Sequence, residues 1–207
     1  MDDLKDLLAE VFGLRNLITR GKSMLVTLVT SPESHSTFFI VKIAAEAAKM
    51  GVFPYYFDVR GSILPDHLLK YKGRLQNPIT IIRFNGKKSF EKSVELMCFY
   101  KLSAKILIIL DSLILLKSSF LAMGSRIEIP YLLALLRKIV SLKGRSVILI
   151  IEARTTDLNR NKLLQYIFKK VDKFVELKRV GKRVFLKILG PDMSLSKEFQ
   201  TELEDPY

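Results

Sequence analysis

The residues best placed to do chemistry lie between an apolar, strand-like run, Met24 to Thr30, and a helix-like run from Ile40 to Met50. They read Ser31-Pro-Glu-Ser-His-Ser-Thr-Phe-Phe39. Strand, short polar loop and helix are the layout of a phosphate-gripping P-loop, G-x-x-x-x-G-K-S/T. There, backbone amides cradle the phosphates, the lysine reaches the outer ones and the hydroxyl holds magnesium. Laid on that pattern, Ser31 and Ser36 take the two glycine places, Thr37 that of the lysine and Phe38 that of the hydroxyl residue. Glu33 is the acid of the loop.

A second chemical position is Asp111, which ends the apolar run Ala104 to Leu110 and is followed by Ser112. P-loop enzymes hold magnesium through an aspartate at such a strand end. Asp58 ends another strand-like run, so Asp58 and Asp111 are either a metal-binding carboxylate pair or turn and cap residues. His35 and His67 are the two histidines, and neither has the Cys or His companions of a zinc site. Cys98 is alone, which rules out an internal disulfide and favours a reducing compartment. Its apolar, helical surroundings predict a buried structural thiol.

These positions need a scaffold, and strands alternating with helices supply one. The Val-, Ile-, Leu-, Phe- and Tyr-rich runs at 24–30, 53–58, 78–83, 105–111 and 146–151 read as strands covered on both faces. Helix-like segments fall at 37–50, 64–72, 89–102, 128–143 and 161–170, and 13–23 reads as a connector with turn residues. The alternation predicts a parallel sheet with right-handed crossovers. Two further strand-like runs, 172–178 and 182–188, are joined by Arg179-Val-Gly-Lys182, a hairpin signature. With a last strand at 198–203, the sheet should finish antiparallel. The expectation is a single α/β domain over 1–207, with a short amphipathic helix at 2–12 that carries Leu4, Leu7, Leu8 and Val11 at helical spacing.

The 207 residues carry a formal charge of +13 and are 49% hydrophobic, enough apolar material for a sizeable core. A basic balance of this size points to nucleic acid, an acidic partner or an anionic surface. The longest apolar stretch, Ile106 to Leu116, is interrupted by Asp111 and is short of the roughly 20 residues of a membrane-spanning helix. Asp2, Asp3 and Asp6 do not fit the basic start of a signal peptide. A cytoplasmic protein without membrane partners is therefore expected. The last third concentrates cations at Lys169, Lys170, Lys173, Lys178, Arg179, Lys182, Arg183 and Lys187. Some of these are equally suited to guarding an edge strand.

Taken together, the motifs resemble the RecA/RadA recombinase superfamily, in the manner of a RadA paralogue of archaeal type with degenerate Walker motifs. Ser31-Pro-Glu-Ser34 is similar to that family's G-P-E-S loop opening. Tyr56-Phe-Asp-Val-Arg-Gly61, followed by Pro65 and Asp66, is similar to its Y-I-D-T-E-G strand end. Ile106 to Ser112 resembles its I-I-D-S strand, and Val171 to Leu186 its closing hairpin. The likeness spans about Leu14 to Leu203 and rests on the order and spacing of the motifs. It implies a RecA-like core with a mainly parallel sheet.

The departures from the family pattern carry the functional expectation. Arg60 stands where the resemblance places the glutamate that polarises water, and a cation there is no base. Thr37 replaces the lysine and Phe38 the magnesium hydroxyl. Glu152-Ala153 takes the place of the strand-end polar pair, and Ile188-Leu-Gly190 that of a lysine-bearing stretch. Phosphoryl transfer is mostly positioning and charge stabilisation, so losing these groups together predicts a protein that is not an ATPase and needs no cofactor or metal. Ser31, Glu33, Ser36, Thr37 and Asp111 would be relics.

The same resemblance places Arg154, Arg160 and Lys162 in one DNA-facing loop. Lys117 and Arg126 belong to the other, between Lys117 and Pro130. It implies an accessory factor that binds DNA, a recombinase or another protein in recombination and repair, alone or as a homo- or hetero-oligomer. Residues 2–12 would engage a partner or pack on their own core. Two alternatives are a KaiC-type oligomeric scaffold without DNA binding and a working ATPase with an unorthodox loop.

Overall fold

The computed structural model describes residues 10–31, 36–59, 61, 68, 71, 73–83, 87–99, 105–122, 129–141, 146–154, 166–167, 169–190 and 194–202. In chain order the elements are α1 (Leu14–Arg20), β1 (Met24–Thr30), α2 (Ser36–Lys49), β2 (Phe53–Asp58) and β3 (Thr80–Ile82). Then come α3 (Lys87–Phe99), β4 (Lys105–Asp111), α4 (Leu113–Ala122), α5 (Ile129–Val140) and β5 (Ser146–Arg154). The chain closes with β6 (Lys173–Val180), β7 (Arg183–Leu189) and β8 (Leu195–Glu202). One eight-stranded sheet has the order β3-β2-β4-β5-β1-β6-β7-β8. It is parallel from β3 to β6, and β7 and β8 are antiparallel. This is the α/β layout expected from the alternating runs.

Side chains alternate between the faces of a strand, so each central strand feeds two cores. Val26, Leu28, Tyr56, Leu107, Ile109, Ile148 and Ile150 point to the face covered by α1 and α2. Leu25, Phe57, Ile106, Ile108, Leu110, Leu149 and Ile151 point to the face covered by α3, α4 and α5. Both faces are therefore dry, which is why these strands read as unbroken apolar runs.

Three differences from expectation have physical causes. The stretch 13–23 holds a helix, α1, bounded by Gly13 and Gly21 in left-handed conformation, with Leu14 and Leu17 buried. The glycines that read as a connector are the two ends of a short helix. Leu113–Ala122 is helical, so Lys117, expected at the start of a loop that runs to Pro130, lies within α4. No Gly or Pro interrupts that run, and its apolar character on all sides hides the helical period. β5 continues to Arg154, three residues past its expected end, and keeps Glu152 and Ala153 inside the sheet.

Glu10 and Val11 are helical, and Val11 and Phe12 are fully buried, with the Phe12 ring centroid 6.5 Å from that of Phe39. Glu10 forms an ion pair with Lys197, and Lys173 Nζ donates to the Glu10 carbonyl at 3.2 Å. Thus 10–12 pack on the chain's own core, while 1–9 lie outside the described residues. Among the described residues no helix is long and apolar enough to cross a membrane.

Candidate functional site

In an open α/β sheet, ligands sit at the carboxyl ends of the parallel strands, near the point where connections leave in opposite directions. Here that point is β1, whose neighbours are β5 and β6, and α2 follows it. Side-chain parity decides what faces α2. Asp58 follows Tyr56 by two, Asp111 follows Ile109 by two, Glu152 follows Ile150 by two, and Thr30 follows Leu28 by two. All four polar side chains therefore belong to the α2 face.

The register then sets three of them in a row. Asp58 pairs with Asp111, and Asp111 and Glu152 each lie one residue beyond the paired Leu110 and Ile151. Adjacent strands are about 4.8 Å apart. Asp58, Asp111 and Glu152 thus form a line of carboxyl groups across β2, β4 and β5, with Asp58 4% exposed and the other two fully buried.

Each member of the row turns to its own donor. Arg83 Nε, just past β3, meets Asp58 Oδ2 at 3.3 Å. The Tyr56 hydroxyl donates to Asp111 Oδ2 at 2.5 Å. Glu152 Oε1 accepts from the Thr30 hydroxyl at the end of β1 and from the Ser36 hydroxyl at 3.3 Å. Ser36 is the first residue of α2 and is 2% exposed. A carboxyl group thus bridges the end of β1 to the start of the following helix, the location where helix amides favour an anion. The Asp111–Ser112 peptide is cis.

Of the expected relics, Ser31 is half-buried at the exit of β1, Ser36 and Asp111 are buried, and Thr37 is half-buried. Glu33, His35, Arg60 and His67 lie outside the described residues, as do Arg126, Arg160 and Lys162. For Lys117, Arg154 and Cys98 the backbone alone is described, in α4, β5 and α3. Arg154 ends β5 and is in register with Thr30. The structure brings Ser36 to the row that holds Asp111, through Glu152 at the end of the row nearest β1. Among the described residues no group of three or more His, Cys, Asp or Glu is placed to hold a metal ion. The role of Glu152 was hidden from local pattern, because its partners Thr30 and Ser36 are 122 and 116 residues away in sequence.

A second surface gathers cations. Arg137 on α5 grips Asp172 through Nη1 to Oδ2 at 2.5 Å and Nη2 to Oδ1 at 2.9 Å. Asp172 also accepts the Leu25 N–H at 2.7 Å and returns its own N–H to the Leu25 carbonyl at 2.8 Å. Burial pushes the Asp172 carboxyl up, but the bonds from Arg137 and Leu25, with the charges of Arg137 and Lys22, outweigh it and hold it below the ordinary carboxylate value. Beside this pair, Arg137, Tyr166, Lys169 and Lys170 line a groove of about 440 Å³.

No protein-family model matches the sequence, and no curated protein matches it either. Solved structures do. The flagellar accessory protein FlaH from Methanocaldococcus jannaschii aligns with 93% of this chain and 91% of its own, at 16% identity and a TM-score of 0.64. The RadB recombinase aligns with 95% of this chain and 93% of its own, at 13% identity and a TM-score of 0.64. A third solved structure, an ATPase domain, aligns with 93% of this chain and 86% of its own, at 11% identity and a TM-score of 0.60. At such identities the likeness speaks for the fold, and the fold is RecA-like.

Proposed function

We propose that this chain is an ATPase-inactive RecA-like protein, a RadA paralogue of archaeal type that binds DNA or a recombinase as an accessory factor in homologous recombination and repair. One observation carries the inactive half of this reading. Glu152, fully buried, accepts a hydrogen bond from Ser36 at the first residue of α2, within a row that also holds Asp58 and Asp111. Bonded there to Ser36, the carboxyl group occupies the helix start that a P-loop offers to phosphate. Thr37 and Phe38 stand where a P-loop has its lysine and magnesium hydroxyl, so neither supplies the charge or the metal contact that grips the outer phosphates.

The binding half rests on the formal charge of +13 and on the similarity to the RadB recombinase. Neutralising phosphates with Lys and Arg gives affinity that falls steeply with salt. A flagellar accessory protein aligns at the same TM-score, so a role outside recombination is the second reading, for which the KaiC-type oligomeric scaffold without DNA binding is the form proposed.

The full chain is titrated with a fluorescent ATP analogue plus magnesium, assayed for phosphate release, and titrated with labelled DNA at two salt concentrations. The expected outcome is no saturable nucleotide binding, no release, and DNA binding that weakens as salt rises. Phosphate release that disappears in Asp111→Asn overturns the inactive reading. An assembly by light scattering, with no DNA binding at low salt, moves the conclusion to the scaffold.

A further inference from the structure

The groove beside the Arg137–Asp172 pair is built from one face of α5 and the turn that leads into β6. Leu133, Ala134 and Arg137, at helical spacing, form one wall, and Tyr166, Lys169 and Lys170 form the other. The second wall is fixed in place from both ends. Ile167 is fully buried, the Lys170 N–H donates to the Ile167 carbonyl at 2.8 Å, and Asp172 is tied to Leu25 by a bond in each direction. Tyr166 is 38% exposed, and Lys169 and Lys170 are exposed, so a phenol ring and two ammonium groups are open to solvent.

The local charge is one-sided. Among the described residues lining the groove the charged ones are Arg137, Lys169 and Lys170, and Arg137 is engaged by Asp172. The volume, about 440 Å³, lies within the roughly 300–1,000 Å³ of small-ligand clefts. The apolar lining open to solvent is Pro130, Ala134 and the half-buried Val171, with Leu133 only 4% exposed, short of the row of large apolar anchors that a peptide helix docks on. Beside it the groove presents an aromatic face flanked by cations, the combination that holds single-stranded nucleic acid by base stacking and phosphate contact.

We propose that this groove is a subsite for single-stranded nucleic acid, in which Tyr166 stacks on a base and Lys169 and Lys170 take adjacent phosphates. Its named contacts, Tyr166, Lys169 and Lys170, are other residues than the Lys117, Arg126, Arg154, Arg160 and Lys162 that the sequence resemblance implies. The proposal rests on the nucleic-acid half of the function proposed above, and the test separates the two.

A fluorescein-labelled oligothymidylate is titrated into the full chain at two salt concentrations, and the change in anisotropy is read. The double substitution Lys169→Glu and Lys170→Glu is expected to weaken binding about tenfold or more and to lower the log–log salt slope by about 1.4, at about 0.7 for each single-strand phosphate contact. Tyr166→Ala is expected to weaken binding about tenfold, while Tyr166→Phe keeps the ring and the affinity. Circular dichroism controls for folding, and the three positions are exposed or half-exposed. Wild-type binding that all these variants retain unchanged overturns the subsite and leaves the proposed function standing. Absence of wild-type binding at low salt overturns both. Displacement of the oligothymidylate by polyglutamate at matched charge shows that the groove reads charge alone, as an acidic peptide site would, and overturns the stacking role.

Discussion

Tyr56 on β2 donates its hydroxyl to Oδ2 of Asp111 on the neighbouring strand β4, at 2.5 Å. Tyr56 pairs in register with Ile109, so its phenol reaches forward along the sheet to the next residue on the same face. Both residues are fully buried. Tyr56→Phe keeps the ring and removes one donor from a buried carboxyl, which costs about 1–3 kcal/mol. Urea unfolding should show a lower midpoint with an unchanged slope. An unchanged midpoint would mean that this hydrogen bond contributes nothing to the carboxyl row.

The Arg137–Asp172 pair sets an acid limit on stability. The folded Asp172 carboxyl titrates below its unfolded value of about 3.9. Its contribution is therefore complete above that value and is lost as pH falls through the lower, folded one. Asp172→Asn should flatten the acid limb of the stability profile below about pH 4 while leaving its shape near neutrality unaltered. The side chains are 47% and 35% exposed, so the effect of Arg137→Gln at neutral pH should stay within about 1 kcal/mol. Thermal melts from pH 2 to pH 7 measure both quantities, and superimposable acid limbs for wild type and Asp172→Asn would contradict the assignment.

Tyr71 predicts an effect at the opposite end of the pH scale. Burial, and then the charge of Glu46, push its phenol up to about 12. Lys49 bonds Glu46 at 2.6 Å and lies 5.5 Å from the Tyr71 ring centroid. A raised folded value favours the neutral phenol, so this contribution is complete below the unfolded value near 10 and is lost as pH rises through about 12. Spectrophotometric titration of the phenolates should show one late step that is missing in Tyr71→Phe. Identical titration curves for the two proteins would remove the claim.

The β6–β7 hairpin turns on Gly181, whose φ is 62°. Val180 pairs with Arg183, leaving a two-residue link of Gly181 and Lys182. Such links need a positive φ, which costs a residue bearing Cβ about 1–2 kcal/mol. No atom lies within 4 Å of a Cβ built at Gly181, so the cost is conformational and not steric. Gly181→Ala should therefore destabilise by about 1–2 kcal/mol, and Gly181→Asn by less. Equal stability of both variants and wild type in denaturant would refute it.

Much of the sheet was legible because its strands are short and buried on both faces. β1, β2 and β4 fall at their expected bounds, and the Gly181 turn announced the antiparallel end. What failed had a common cause, the ambiguity of local signals. Leu113–Ala122 is apolar on every side, so no period marks it as a helix; Leu113 and Leu116 are buried, and Leu115 and Leu121 are exposed. At the candidate site, Ser36 and Asp111 were found as positions in a pattern. The partnership of Glu152 with Thr30 and Ser36 could not be found that way, because it arises from strand order and register. β5 lies beside β1 only after three intervening strands, β2, β3 and β4, have been placed.

Glu152 is accordingly where the site is most sensitive to chemical detail. Its carboxyl accepts from Thr30 and Ser36, and both hydroxyls need an oxygen acceptor rather than a charge. Glu152→Gln retains a carbonyl oxygen and nearly the same volume, so its stability should remain within about 1.5 kcal/mol of wild type. Glu152→Ala leaves a cavity and withdraws an acceptor from two hydroxyls in a fully buried position, so a loss above about 3 kcal/mol is expected. The contrast separates geometry from charge. If Glu152→Ala were as stable as Glu152→Gln in urea unfolding, the bridge between β1 and α2 would hold nothing together. If Glu152→Gln were as damaging as Glu152→Ala, the negative charge itself would be what the site requires.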